Sequence, residues 1–353
     1  MQWFIVPNLD CPISGGTHYN RMLIGALRTA RIQCEVRSLD RAESVLTEAV
    51  AGDSIWVDSL HLDELPRLAR AARPGTRLGM IAHYLPSLVS LGEGLGPEHL
   101  TPAEAAALKT AAMFLVSSPF MRGILRRLTG AGRPILHVEP GRSLAVPSTL
   151  PEPPPVRAVM VANLVPGKGI EAFLRSLTAK IQGTDKLYLD VVGGTAHDPP
   201  YAERCRAAAS DPRIRGCVRF LGELPHEKSL GKMAASNLLI SASQMESYGM
   251  ALAEARAIGI PILALRGGHV ASLVGQDSGG ELLATTDDLV GACLMLCRNR
   301  AEHRRRMERA RIRTLPVRPW SLAASEFRTQ LVDLERTRWQ DRIPEAERVH
   351  DGG

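Results

Sequence analysis

What this chain lacks narrows its class before any motif is read. No apolar run approaches the roughly 18 residues that cross a bilayer, so no spanning helix is expected. The opening "MQWFIVPNLD" has no basic flank of a secretory leader and reads as a first strand. Aromatic residues make up only 4% of the chain, which argues against stacking bases on an aromatic platform. The six cysteines are scattered, and no four of them show zinc spacing. Cys293 and Cys297 could share a helix face as two buried thiols. A reducing, cytoplasmic setting is the expectation. "VVGGTAHD" (191–198) lacks the glycine spacing of a dinucleotide fingerprint. "VANLVPGKGI" (161–170) is not a P-loop, because Gly169 rather than Ser or Thr follows Lys168.

What is present has ordinary globular composition, 45% hydrophobic and 23% charged. At 353 residues the chain is too long for one core, and two domains are expected. The net charge of +6 suits an anionic partner: nucleotide, nucleic acid or lipid headgroup. One basic cluster, "MRGILRRLTGAGR" (121–133), alternates apolar and basic residues on an expected helix. Peripheral membrane contact through 121–133 is one reading and a solvated helix face the other. No basic stripe carries interleaved aromatics, so no nucleic-acid partner is expected.

Strand-like runs alternate with helical ones. "WFIVPN", "QCEVRSL", "SIWVDS", "RLGMIAHY", "MFLVSS" and "PILHVEPG" read as strands of a first unit, with helices at 17–30, 102–112 and 119–128 among them. "PSTLPEPPPV" (147–156) holds five prolines in ten residues and marks a boundary. The alternation restarts with "VRAVMVANL", "KLYLDVVGG", "VRFLGEL", "NLLISAS" and "IPILALRGG". The pattern predicts an α/β protein of two Rossmann-like domains, 1–150 and 151–318, with a terminal helix over about 319–340. Ligands of such sheets sit at the carboxyl ends of the strands. There lie Gly15 and Gly16, His83, Lys168, Gly193 and Gly194, and Glu246.

The most informative stretch is "MESYGMALAEARAIGIP" (245–261), in which seven residues separate Glu246 from Glu254. Ala251 to Ile258 favour a helix that Gly259 and Pro261 end, so Glu246 falls in the loop ahead of it and Glu254 inside it. The helix N-terminus between them suits a phosphate, and a carboxylate on either side suits hydroxyls. A nucleotide sugar has that chemistry. Taken singly, each feature has a plainer reading. Glu246 can be a loop charge and Glu254 part of a solvent face. Lys168 can sit in a surface turn, Gly15 and Gly16 in a tight turn, and His83 can be structural.

Taken together, these segments resemble the retaining GT-B glycosyltransferases of family 4 over nearly the whole chain. The Gly15-Gly16 loop, the strand-end His83, the "VSS" strand at 116–118, "ANLVPGKG", "FLG" at 220–222 and the two-glutamate block with its trailing Gly-Ile-Pro and Gly-Gly carry the resemblance. Trp320 fits the start of a last helix that crosses back onto the first domain. The resemblance implies that Glu254 accepts from the ribose hydroxyls and Glu246 holds the transferred sugar. It implies that backbone N–H groups around Ser247, Tyr248, Gly249, Met250 and Ala251 bind sugar and diphosphate. Lys168 would neutralise the diphosphate, Gly16 would approach it from the first domain, and His83 would contact the sugar near the reacting carbon. The base would be read near Phe220 and Leu221. Three positions depart from the family's pattern: Asn163 replaces an arginine, Pro140 an asparagine, and Ala271 a glutamate.

The implied activity is metal-independent, retaining transfer of a hexose-type sugar from a UDP- or GDP-linked donor. The acceptor would be carbohydrate, lipid-linked or a small molecule, and no cofactor or metal is expected. His83, Glu246 and Lys168 are the candidate catalytic residues. A phosphorylase, an epimerase or a catalytically silent nucleotide-sugar binder are the alternatives, the last kept open by Asn163.

Overall fold

The computed structural model describes residues 1–9, 14–142 and 150–340. Residues 147–149 of the proline-rich segment lie outside the described residues. Two six-stranded, all-parallel sheets organise the chain. The first comprises β1 (Gln2–Ile5), β2 (Cys34–Arg37), β3 (Ser54–Asp58), β4 (Arg77–Ile81), β5 (Met113–Val116) and β6 (Ile135–His137), in the order β2-β1-β3-β4-β5-β6. The second comprises β7 (Val156–Val161), β8 (Leu187–Val192), β9 (Val218–Gly222), β10 (Leu238–Ser241), β11 (Ile262–Leu265) and β12 (Glu281–Leu283), in the order β12-β11-β10-β7-β8-β9. β3 and β4 are buried along their whole length, as strands with helices on both faces must be.

Chain order reverses between β1 and β3 in the first sheet, and between β7 and β10 in the second. Such switch points open a crevice at the carboxyl ends of the strands. At this edge lie Gly15 and Gly16 in the first turn of the helix after β1, Asp58 at the end of β3, and Lys168 and Glu246 in the segments that follow β7 and β10.

Six helices position the rest. α1 (Gly15–Thr29) starts at Ser14, whose side chain accepts from the Thr17 N–H. α2 (Pro119–Thr129) starts in the same way at Ser118, with Pro119 in its first turn. Its Met121, Ile124 and Leu125 are buried in the first-lobe core, while Arg126 and Arg127 are exposed. α3 is Ile170–Lys180, α4 His226–Ala234 and α5 Met250–Ile258. α5 runs between two glycines in the left-handed region, Gly249 (φ 83°) and Gly259 (φ 86°), where a side chain would be strained.

The last helix, α6 (Trp320–Gln340), returns to the first lobe. Trp320, Phe327 and Leu331 join one cluster with Phe4, Tyr19, Leu23 and Trp56. Gln330 pairs its amide with both the N–H and the C=O of His137, closing the open edge of β6.

Candidate nucleotide-sugar site

The cleft between the sheets is built from short, separate segments. After β10 the chain turns through Glu246, Ser247 and Tyr248 to Gly249, the cap of α5. Gly249 provides no side-chain cap, so the first N–H groups of α5 have no side-chain acceptor at the cap. Met250 and Ala251 form that first turn, and Glu254 follows inside the helix, 9% exposed.

Lys168 lies in a short turn after β7 and donates to Glu246 Oε1 at 2.6 Å. Two candidate residues from different strand ends are thus brought into one ion pair, both partly exposed to the cleft. An ammonium has three donors, so Lys168 can hold Glu246 and still meet an anion.

Asn163 is directed elsewhere. Its Oδ1 accepts from the Gly194 N–H at 3.0 Å, and its side chain braces the Gly193-Gly194 turn after β8. Phe220 and Leu221 lie in β9, partly buried. The chain leaving β9 leads into α4, whose first residue, His226, hydrogen-bonds to Glu254 Oε1 at 2.7 Å. That bond comes first among the causes that raise the His226 pKa, ahead of burial, which opposes it.

The first lobe supplies the opposite wall. Gly16, in the first turn of α1, lies so close to His83 that a Cβ there would be 3.1 Å from the imidazole. His83 follows β4 and is held in a buried chain of polar groups. Asn20 Nδ2 donates to Asp58 Oδ2 at 2.6 Å, so the Asn20 atom facing His83 is its carbonyl Oδ1. His83 Nε2, 2.8 Å away, therefore carries the hydrogen. Burial lowers the His83 pKa and Asp58 works against it; the ring is neutral at pH 7. Its Nε2–H is engaged by Asn20 rather than turned to the cleft.

Four contacts join the lobes at this site. Ser118 Oγ donates to the Ser247 carbonyl at 2.5 Å. Arg142 donates to the Tyr248 hydroxyl at 2.6 Å, and that hydroxyl donates to Glu139 at 2.9 Å. The His18 and His226 rings meet across the cleft with centroids 4.2 Å apart and planes tilted by 34°. Burial, with His226 and Arg21 adding to it, pushes the His18 pKa down to about 4.

Sequence reasoning did not single out His18, Asn20, Asp58, Arg142 or His226. Asp58 ends a strand at the carboxyl edge, a signal that could have found it. Asn20 becomes visible only once α1 packs beside β3 and His83, and His18, Arg142 and His226 only once the lobes meet.

Residues 147–313 match the family model of glycosyl transferases group 1. Over the whole chain the fold is GT-B. The sucrose-phosphate synthase of Thermosynechococcus elongatus superposes with a TM-score of 0.72 at 19% identity, covering 96% of this chain and 99% of its own. Anabaena HepE, solved with UDP-glucose, superposes at 0.67 with 15% identity, covering 95% and 100%. Among curated proteins, D-inositol 3-phosphate glycosyltransferase of Corynebacterium jeikeium is 30% identical over 119 residues. That is 33% of this chain and 28% of the relative. Alpha-monoglucosyldiacylglycerol synthase of Streptococcus pneumoniae is 29% identical over 127 residues, 36% of this chain and 28% of that one. The chain thus matches little more than a quarter of the length of these two curated relatives. The group 1 segment holds β7 to β12, Lys168, Glu246 and Glu254, while Gly16, His83 and the returning helix lie outside it.

Proposed function

We propose that the protein is a retaining, metal-independent glycosyltransferase that moves a hexose-type sugar from a UDP- or GDP-linked donor. The observation that carries this reading is the convergence of Lys168, Glu246, the open α5 N-terminus and Glu254 at the second sheet's switch point. Glu254 receives the ribose hydroxyls, the α5 N–H groups and Lys168 the diphosphate, and Glu246 the sugar hydroxyls. Catalysis is stabilisation of charge on the departing nucleoside diphosphate together with positioning. No side chain is assigned as nucleophile; the acceptor attacks from the face the diphosphate leaves. The acceptor is a carbohydrate, a lipid-linked sugar or a small molecule. We place the protein in the cytoplasm. No helix among the described residues is long and apolar enough to cross a membrane.

Asn163 favours a second reading, a binder of nucleotide sugars without transfer activity, since the side chain braces a turn and adds no charge to the diphosphate site. Thermal shift with UDP-glucose, UDP-N-acetylglucosamine and GDP-mannose, with and without chelator, tests the shared part, because a ligand that binds only the folded form raises the Tm. Donor hydrolysis in the same samples separates enzyme from binder. A Tm unmoved by any sugar nucleotide overturns both.

A further inference from the structure

We infer that His226 is a positioning residue of the nucleotide site: it fixes one oxygen of Glu254 so that the other is presented to the ribose, and His18 of the opposite lobe holds it there. The inference rests on the nucleotide-sugar reading of the site.

The argument begins with the carboxylate. Glu254 projects from a helix of small apolar residues and is nearly buried. Its Oε1 is taken by His226 Nε2. Its Oε2 has no hydrogen-bond partner among the described residues, yet is not sealed away from the surface. A carboxylate held by one oxygen keeps a single rotamer and offers the second as an acceptor. A ribose diol is a pair of donors that fits such an acceptor. An unanchored glutamate would have to lose its rotamer freedom on binding.

His226 in turn needs its own support, since its side chain is 38% exposed. His18 supplies it from α1, its ring packed at a tilt against His226 from the opposite side of the cleft. The two rings carry unlike protonation. Glu254, together with Glu227 beside His226 on α4, favours the imidazolium at His226. Burial keeps His18 neutral, and Arg21 behind it acts in the same sense. A neutral ring packs against a cationic one without the repulsion of two imidazolium ions. The first lobe therefore reaches the ribose site through His18 and His226.

A consequence separates this role from a merely structural one. A bound diphosphate is a permanent anion near His226 and favours its protonated form further. By linkage, donor binding takes up a proton, and affinity falls as pH rises through the His226 ionisation. UDP-glucose and GDP-mannose are suitable probes, because their diphosphate diesters do not titrate near neutrality.

Calorimetry of both probes over about pH 5.5 to 8, in buffers of different ionisation enthalpy, makes the test. The wild type is expected to take up a proton and to lose affinity as pH rises. His226→Gln, which keeps a donor, is expected to bind within a few-fold of wild type at neutral pH, with neither proton uptake nor pH dependence. His226→Leu and His18→Ala should each weaken binding by about tenfold with the Tm retained. Wild-type affinity in His226→Leu, or a pH profile that survives in His226→Gln, overturns the inference. Glu254→Ala tells the two claims apart. If that variant loses a binding that is indifferent to His226, this inference alone falls; if neither probe binds the wild type, the functional reading falls with it.

Discussion

At the scale of single residues, the site is a set of pairings between groups far apart in sequence. Lys168→Ala leaves the Glu246 carboxylate without its cation and removes an ammonium from the switch point, so nucleoside diphosphate affinity should drop by about 1–3 kcal/mol, the scale of charged hydrogen bonds. Asn163→Arg adds a charge near that site but frees the Gly194 N–H. Higher diphosphate affinity with a lower Tm is the expected pair of outcomes, and equal affinity in wild type and both variants would argue against any phosphate role. His83 is neutral and engaged by Asn20, so we expect His83→Ala to leave donor affinity nearly unchanged and to lower turnover. Asn20→Ala brings Asp58, now 3.8 Å from His83 Nε2, into the position of nearest partner and should raise the His83 pKa. An imidazole NMR titration that does not move would sink the relay. Sequence alone placed Lys168, Glu246 and Glu254 because motif spacing and strand ends speak for them. It was silent on His18 and His226, since their contact spans 208 positions (226 − 18) and neither stands in a motif.

At the scale of elements, alternating strands and helices were legible because buried parallel strands are continuous apolar runs. β12 was not, for a physical reason: it is three residues at a sheet edge, with only Leu283 buried. Strand order was not legible either; it follows from which neighbours pack, not from local pattern. α2 shows the limit of reading amphipathicity. Its alternation of basic and apolar residues suggested a membrane-facing helix, yet its apolar face fills the first-lobe core. Contact with a bilayer through this helix would rest on charge alone, without insertion. Sedimentation with anionic vesicles should therefore fall in high salt and fall further in Arg126→Ala. Binding that resists salt would show insertion by some other surface.

At the scale of the molecule, proton balance sets an acid limit. Burial holds His18, His61, His83, His137, His269 and His303 below the ordinary histidine value. The unfolded chain takes up protons near pH 6.5 while the folded chain does not, so stability falls as pH drops below that value, by up to about 1.4 kcal/mol per unit for each such group. His226 works in the opposite sense, its contribution complete below its unfolded value and lost as pH rises through its raised one. The Tm should decline between about pH 7 and 5, by calorimetry; a flat or rising Tm would contradict the burial of these rings. The returning helix has a consequence for synthesis. A ribosome makes the first lobe first, yet Trp320, Phe327 and Leu331 of its core come from the last helix. The six strands of the second lobe are complete before them, since β12 ends at Leu283. The lobe begun first is therefore finished last, and must wait, with Phe4, Tyr19 and Trp56 uncovered, for the whole second lobe to emerge. A chain arrested after residue 318 should yield a protease-resistant second lobe and a first lobe that is cut.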